Sequence, residues 1–202
     1  MPDPRRRLSP RVALIIIAAL FVLPLAAAWL MYSGVIEFDP GATRNLGELV
    51  EPAVPVALDG LIADDPARSP SAELPRHWTI VHVVPADCGA DCASVITALR
   101  QVYLASGRER ARLRMLLVHR PDDSMDAEAV AAIHPEFLLA RDGDGRMLSA
   151  LAAITGEADA AGHTYLLDPL GNIMMLYRAG YDPNDLKKDL KRLLTWSKLD
   201  EQ

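Results

Sequence analysis

The phrase Cys88-Gly89-Ala90-Asp91-Cys92 holds the only two cysteines of a 202-residue chain. Two thiols at this spacing can close into a disulfide, exchange with a disulfide elsewhere, or share one soft metal ion. The thiolate does the work in each case, as the nucleophile of exchange or as the metal ligand. Copper(I) accepts two or three soft donors. Structural zinc takes four protein ligands, and the chain has no second close cysteine pair. A purely structural staple would gain little from so short a loop.

A third copper ligand would have to come from elsewhere in the fold. Among the five histidines, His163 is the best placed, just before an apolar segment whose preceding loop should approach the dithiol. Otherwise it is a loop histidine capping backbone. His82 falls inside an apolar run, and His77, His119 and His134 border other elements. For these four a packed or solvated role is expected. Met174 and Met175 offer thioethers, but adjacent strand residues point to opposite faces, so at least one should be core. Asp142-Gly143-Asp144-Gly145 starts like a calcium loop. Arg146 and Ala153 then stand where ligands belong, which makes a plain turn the better reading. A peroxidase is disfavoured because Pro85, not a threonine, stands three residues before Cys88.

The elements around the dithiol follow from hydrophobic periodicity. Trp78 to Val84 is apolar and β-branched, as in a strand buried on both faces. From Asp91 onward Val95, Leu99 and Val102 recur at helical spacing. Leu113 to Val118 reads as a second buried strand, Asp126 to Ile133 as a short helix, Phe137 to Leu139 as a third strand and Met147 to Ile154 as another helix. Tyr165 to Leu167 and Ile173 to Tyr177 flank Asp168-Pro169-Leu170-Gly171-Asn172, a hairpin turn sequence. Asp182 and Pro183 open a last helix with Leu186, Leu190, Leu193 and Leu194 as its buried stripe and Lys191, Arg192 and Lys198 at its C-terminal end.

This order predicts an α/β domain of three layers, a central mixed sheet flanked by helices. A dithiol where the first long strand meets a helix is the thioredoxin-like arrangement. There the helix dipole and free N–H groups favour a thiolate, against the opposing charges of Asp87 and Asp91. Cys88 should be the more exposed sulfur and Cys92 should lie in the first helical turn.

The N-terminus sets the compartment. Arg5, Arg6, Arg7 and Arg11 precede an uncharged run from Val12 to Tyr32, long enough to cross a bilayer. The basic residues 1–11 should stay cytoplasmic, with 12–32 as a single transmembrane anchor and the remainder exported. Trp29 and Tyr32 suit the outer interface. A cleaved signal peptide, with Ala26-Ala27-Ala28 near the cleavage site, is the alternative, but the run exceeds the usual apolar core of such peptides. Residues 33–76 carry six prolines and read as a tether, leaving 77–202 as the thioredoxin-like domain. Four of the 21 basic and one of the 27 acidic residues lie in the first 32, so the rest carries 17 against 26, a net of −9. Nucleic acid is not a partner for such a domain.

With these residues in place, the chain resembles Sco-type proteins, membrane-anchored thioredoxin-like factors of cytochrome c oxidase assembly. The likeness rests on the anchor, the proline-rich tether, Cys88-x-x-x-Cys92 after a strand, His163-Thr164-Tyr165-Leu166-Leu167-Asp168-Pro169-Leu170-Gly171, and the final helix. It implies a periplasmic domain on the inner membrane of a bacterium. It further implies Cu(I) on Cys88, Cys92 and a histidine, for delivery to the binuclear copper centre of oxidase subunit II. Such a protein is a metallochaperone more than an enzyme. The family's other activity is thiol reduction of that centre's cysteines, and an inert interaction module among oxidase assembly factors is the remaining alternative. Two positions depart from the family pattern. Ala93 replaces a proline after the second cysteine, and Ala160 occupies the spacing where the family's histidine stands.

Overall fold

The computed structural model describes residues 9–33, 44–123 and 127–197. Arg5, Arg6, Arg7, Asp126 and Lys198, used above, lie outside the described residues. The chain divides into a unit up to Thr43 and a unit from Arg44 onward.

In the first unit, α1 (Pro10–Tyr32) is capped by Ser9, whose hydroxyl accepts from the Val12 N–H. Its apolar length is enough to cross a membrane. Pro24 sits inside the helix, as membrane helices tolerate.

The second unit runs β1 (Glu48–Pro55), β2 (Leu61–Ala63), α2 (Pro70–Glu73), β3 (Trp78–Val83), α3 (Ala90–Ala105) and a 3-10 turn (Gly107–Arg112). It continues through β4 (Leu113–His119), α4 (Ala127–Ile133), β5 (Leu138–Asp142), α5 (Arg146–Thr155), β6 (Thr164–Leu167), β7 (Asn172–Tyr177) and α6 (Pro183–Trp196). The strands form one seven-stranded sheet in the order β1-β7-β6-β3-β4-β5-β2. The β3, β4 and β5 strands are parallel, and β6 and β7 form the antiparallel hairpin.

Strand alternation sorts the core into two layers. Ile80, Met115, Leu117 and Leu166 point to the side covered by Ile96 and Leu99 of α3 and Leu186, Leu190 and Leu194 of α6. Val81, Val83, Leu116, Val118, Tyr165 and Leu167 point to the other, against Met147 and Leu151 of α5. Each fully buried leucine contributes about 1.5–3 kcal/mol relative to exposure. The expected three-layer mixed fold is present.

Two expectations need correction. The segment read as a tether is, from Arg44 onward, part of the domain. Its strands β1 and β2 close the two edges of the sheet, each paired to one neighbour only. Edge strands tolerate proline because one row of N–H groups makes no ladder bond. Pro52 sits in the register break between Leu49 and Val54, and Pro55 ends β1. The second correction concerns the methionines. Register moves from Leu166–Met175 to Leu167–Ile173, leaving Met174 as the extra residue of a bulge. Both Met174 and Met175 therefore pack with the α3/α6 layer.

The turns behave as their residues dictate. The Asp168 carboxylate accepts from the N–H groups of Leu170 and Asn172 at 2.9 and 2.8 Å, and Gly171 takes φ +91° between them. The Asp142–Gly145 segment is the plain turn expected. Asp142 accepts from the Leu148 N–H at 2.8 Å and Gly145 takes φ +72° as α5 starts.

Asp189 of α6 is the buried carboxylate that holds β1 in place. One of its oxygens accepts from the N–H groups of Leu46 and Gly47 at 2.7 and 2.9 Å and from the Tyr177 hydroxyl at 3.1 Å. Arg192 reaches the other oxygen at 3.2 Å. Substituting Asp189→Ala strands these donors, and we expect a loss of about 2–4 kcal/mol from two or more unmet buried groups. Chemical denaturation of the full chain in detergent, followed by the fluorescence of buried Trp78, checks this.

Candidate functional site

The site begins where β3 leaves the sheet. Cys88 follows the β3 end by five residues, Gly89 is the N-cap of α3, and Cys92 is the third residue of that helix. No side chain caps this end, so the first-turn N–H groups have no side-chain acceptor. Cys88 and Cys92 are joined in a disulfide with Cα atoms 5.0 Å apart. Cys92 is buried in the α3/α6 core layer, and Cys88 is half-buried against its edge. The asymmetry is the one expected from the sequence, with Cys88 the more accessible sulfur.

His163 is not brought to the dithiol. It shares strand parity with Tyr165 and Leu167 rather than with Leu166, which puts it on the α5 side of the sheet, opposite α3. Its ring lies edge-on to Tyr165, with centroids 6.5 Å apart. Both ring nitrogens are engaged. Nδ1 accepts from the Ala179 N–H at 2.8 Å, and Nε2 lies 3.2 Å from the Glu157 carboxylate. Glu157 in turn pairs with Arg178, which also holds Glu48 of β1. His163 thus ties loops and an edge strand together. Ala160, at the family histidine's spacing, is buried in the α5 layer. Among the described residues no group of three histidine, cysteine or acidic side chains is placed to hold a metal. Once reduced, Cys88 and Cys92 would supply two sulfur donors, and His163 on the opposite layer does not complete a triad with them.

The remaining histidines, expected to be packed or solvated, are packed or hydrogen-bonded within the domain. His134 stacks on Phe137, His119 lies 3.0 Å from Asp64, and His77 accepts from Arg114. His82 was expected to be packed, yet the sequence did not show with what. By parity with Ile80 it faces the same layer as Cys92, and its Nδ1 lies 3.0 Å from the Thr164 hydroxyl. The signal is the one titratable residue inside the run Trp78–Val84, paired across the sheet with the polar Thr164 of β6.

Burial strips water from His82 and lowers its pKa from 6.5 to about 4. The folded state then binds fewer protons than the unfolded chain between those values. Stability is fully present above pH 6.5 and is lost as pH falls toward about 4, by about 3 kcal/mol. Denaturation midpoints across this range should show the loss, and His82→Gln should flatten it. His163→Ala should cost about 1–3 kcal/mol through its lost hydrogen bonds. It should leave Cu(I) stoichiometry unchanged in an anaerobic competition titration of the reduced chain.

Residues 78–197 match the family model described as the transmembrane-like, thioredoxin-like, C-terminal domain. No curated protein sequence matches the chain. Among solved structures it is similar to copper-bound ScoI from Arabidopsis thaliana, with 16% identity and a TM-score of 0.52 over 75% of this chain and 99% of that one. Yeast Sco1 is similar at 17% identity and a TM-score of 0.50, over 61% of this chain and 83% of that one. At these identities the likeness establishes a shared fold. With the mixed sheet, the dithiol at the strand–helix junction and the matched residues in hand, the chain belongs to the transmembrane-like, thioredoxin-like C-terminal domain family.

Proposed function

We propose that this chain is a membrane-anchored thiol–disulfide exchange protein of cytochrome c oxidase biogenesis, acting on the cysteines of the oxidase copper centre. The observation that carries the exchange chemistry is the Cys88–Cys92 disulfide at the uncapped start of α3, with one sulfur accessible and the other buried. The resemblance of Cys88-x-x-x-Cys92 and of the His163–Gly171 segment to Sco-type proteins supports the oxidase assignment, and the apolar helix α1 supports the anchor. In this reading the basic N-terminus is cytoplasmic and the domain periplasmic.

In the reducing direction the Cys88 thiolate attacks a sulfur of the partner's disulfide. The S–S bond there breaks, one partner thiolate leaves, and a mixed disulfide joins the two proteins. Cys92, deprotonated, attacks the Cys88 sulfur, releasing the second partner thiolate and re-forming the Cys88–Cys92 disulfide. Two electrons pass from this chain to its partner, and the thiolates take up protons from water. An external dithiol donor restores the reduced form. The helix N-terminus favours the Cys88 thiolate as attacking and leaving group.

A second reading is favoured by the three-residue spacing and by the shared fold with copper-bound ScoI. Here the reduced pair carries Cu(I) as cargo on two thiolates and passes it on by ligand exchange. The two readings share the dithiol and differ in what it transfers.

Cys92→Ser removes the resolving sulfur, so the full chain should accumulate a mixed disulfide with its partner in membranes, visible on non-reducing gels and lost in Cys88→Ser. Absence of any captured partner, together with tight Cu(I) binding by the reduced chain, would move the assignment to copper delivery.

A further inference from the structure

At the end of the sheet opposite the dithiol, a cleft of about 790 Å³ opens between the 3-10 turn, the start of β4 and the loop before β5. Its size is that of ordinary ligand sites. Within a domain whose net charge is strongly negative, this cleft carries four arginines against two glutamates. Arg68 is satisfied by Glu73, and Arg108 lies outermost beside Glu109. The other two make no direct ion pair with a carboxylate among the described residues, although both are half-buried and Arg114 lies close enough to Glu73 to help hold its carboxyl below the usual range.

Arg114 is held in place by neutral acceptors. It donates to the carbonyls of Leu113 and Ala111 at 2.9 and 3.3 Å and to Nε2 of His77 at 2.8 Å. His77 lies 2.9 Å from the Pro75 carbonyl through Nδ1, which leaves Nε2 as the acceptor for arginine. Arg110 lies over the Tyr103 ring, 5.8 Å from its centroid, with no hydrogen bond among the described residues. The Tyr103 hydroxyl turns the nearby Glu136 carboxylate toward itself at 2.8 Å. Partly desolvated guanidinium groups with unused N–H donors are matched by an oxyanion that accepts from both.

We infer that this cleft binds a phosphate-bearing anion between Arg110 and Arg114. A dianionic phosphate balances the two positive charges of Arg110 and Arg114, and its tetrahedral oxygens can accept from both guanidinium groups. The phosphate belongs either to a soluble ester or to a lipid headgroup. The site is separate from the dithiol and independent of the exchange reading.

The test is calorimetric titration of inorganic phosphate into the full chain held in phosphatidylcholine nanodiscs at low ionic strength. Saturable binding is expected, weakened about tenfold or more in Arg110→Gln and in Arg114→Gln. Glu136→Gln should tighten it by removing a competing negative charge. Arg110→Gln removes no hydrogen bond, so it keeps the test valid if Arg114→Gln unfolds, and Arg146→Gln, far from the cleft, should bind as the parent does. No saturable binding, or binding unchanged in Arg110→Gln, would overturn the inference. Nanodiscs containing phosphatidylglycerol then distinguish the sources. Weakened apparent phosphate binding there assigns the natural ligand to a lipid headgroup, and unchanged binding assigns it to a soluble phosphate.

Discussion

Every side chain of β3 from Trp78 to Val83 is buried, so the rest of the domain has to be built outward from this strand on both faces. Its parallel neighbour β4 and antiparallel neighbour β6 satisfy its two rows of backbone groups. Its alternate side chains demand a helical layer on each side. The chain leaves β3 directly into α3, which packs back over one of those faces. The cysteines are therefore fixed at a strand–helix junction before any chemistry is considered. The same alternation decides what can stand beside them. Residues in register with Ile80 share the face of α3, and residues in register with Val81 do not.

That rule places His82 and His163 on different layers. His82, inside the strand, faces the dithiol's layer and is held by Thr164. His163, at the head of β6, falls on the opposite layer and serves the Glu157–Arg178–Glu48 network. The chemistry left at the junction is that of two sulfurs of unequal exposure at a helix N-terminus. Such a pair has the groups that disulfide exchange requires and, once reduced, two donors for a soft cation. A histidine-completed copper triad is outside what these residues assemble.

Much of this was legible in the sequence because local pattern and tertiary structure agree. The apolar run at Trp78, the leucine stripe of α6 with its Asp182 cap, and the Asp168–Asn172 turn each announce their element. The two edge strands were hidden by their prolines. Glu48–Pro55 reads as linker because its place in the fold is set by Asp189, 142 positions from Gly47. No local signal records that contact. The layer occupied by His163 was hidden for a related reason. A side chain's face depends on strand register, and the bulge at Met174 shows how one extra residue reverses it. Spacing to a motif measures distance along the chain and carries no information about which side of a sheet a residue occupies.

The central claim is that Cys88 and Cys92 form a working redox couple of unequal reactivity. The most direct measurement is equilibration of the full chain in graded thiol–disulfide buffers, followed by alkylation and mass spectrometry of each cysteine. The expected result is reversible two-electron reduction under native conditions, with Cys88 alkylated faster than Cys92. A disulfide that resists reduction until the domain unfolds, or faster alkylation of Cys92, would contradict it.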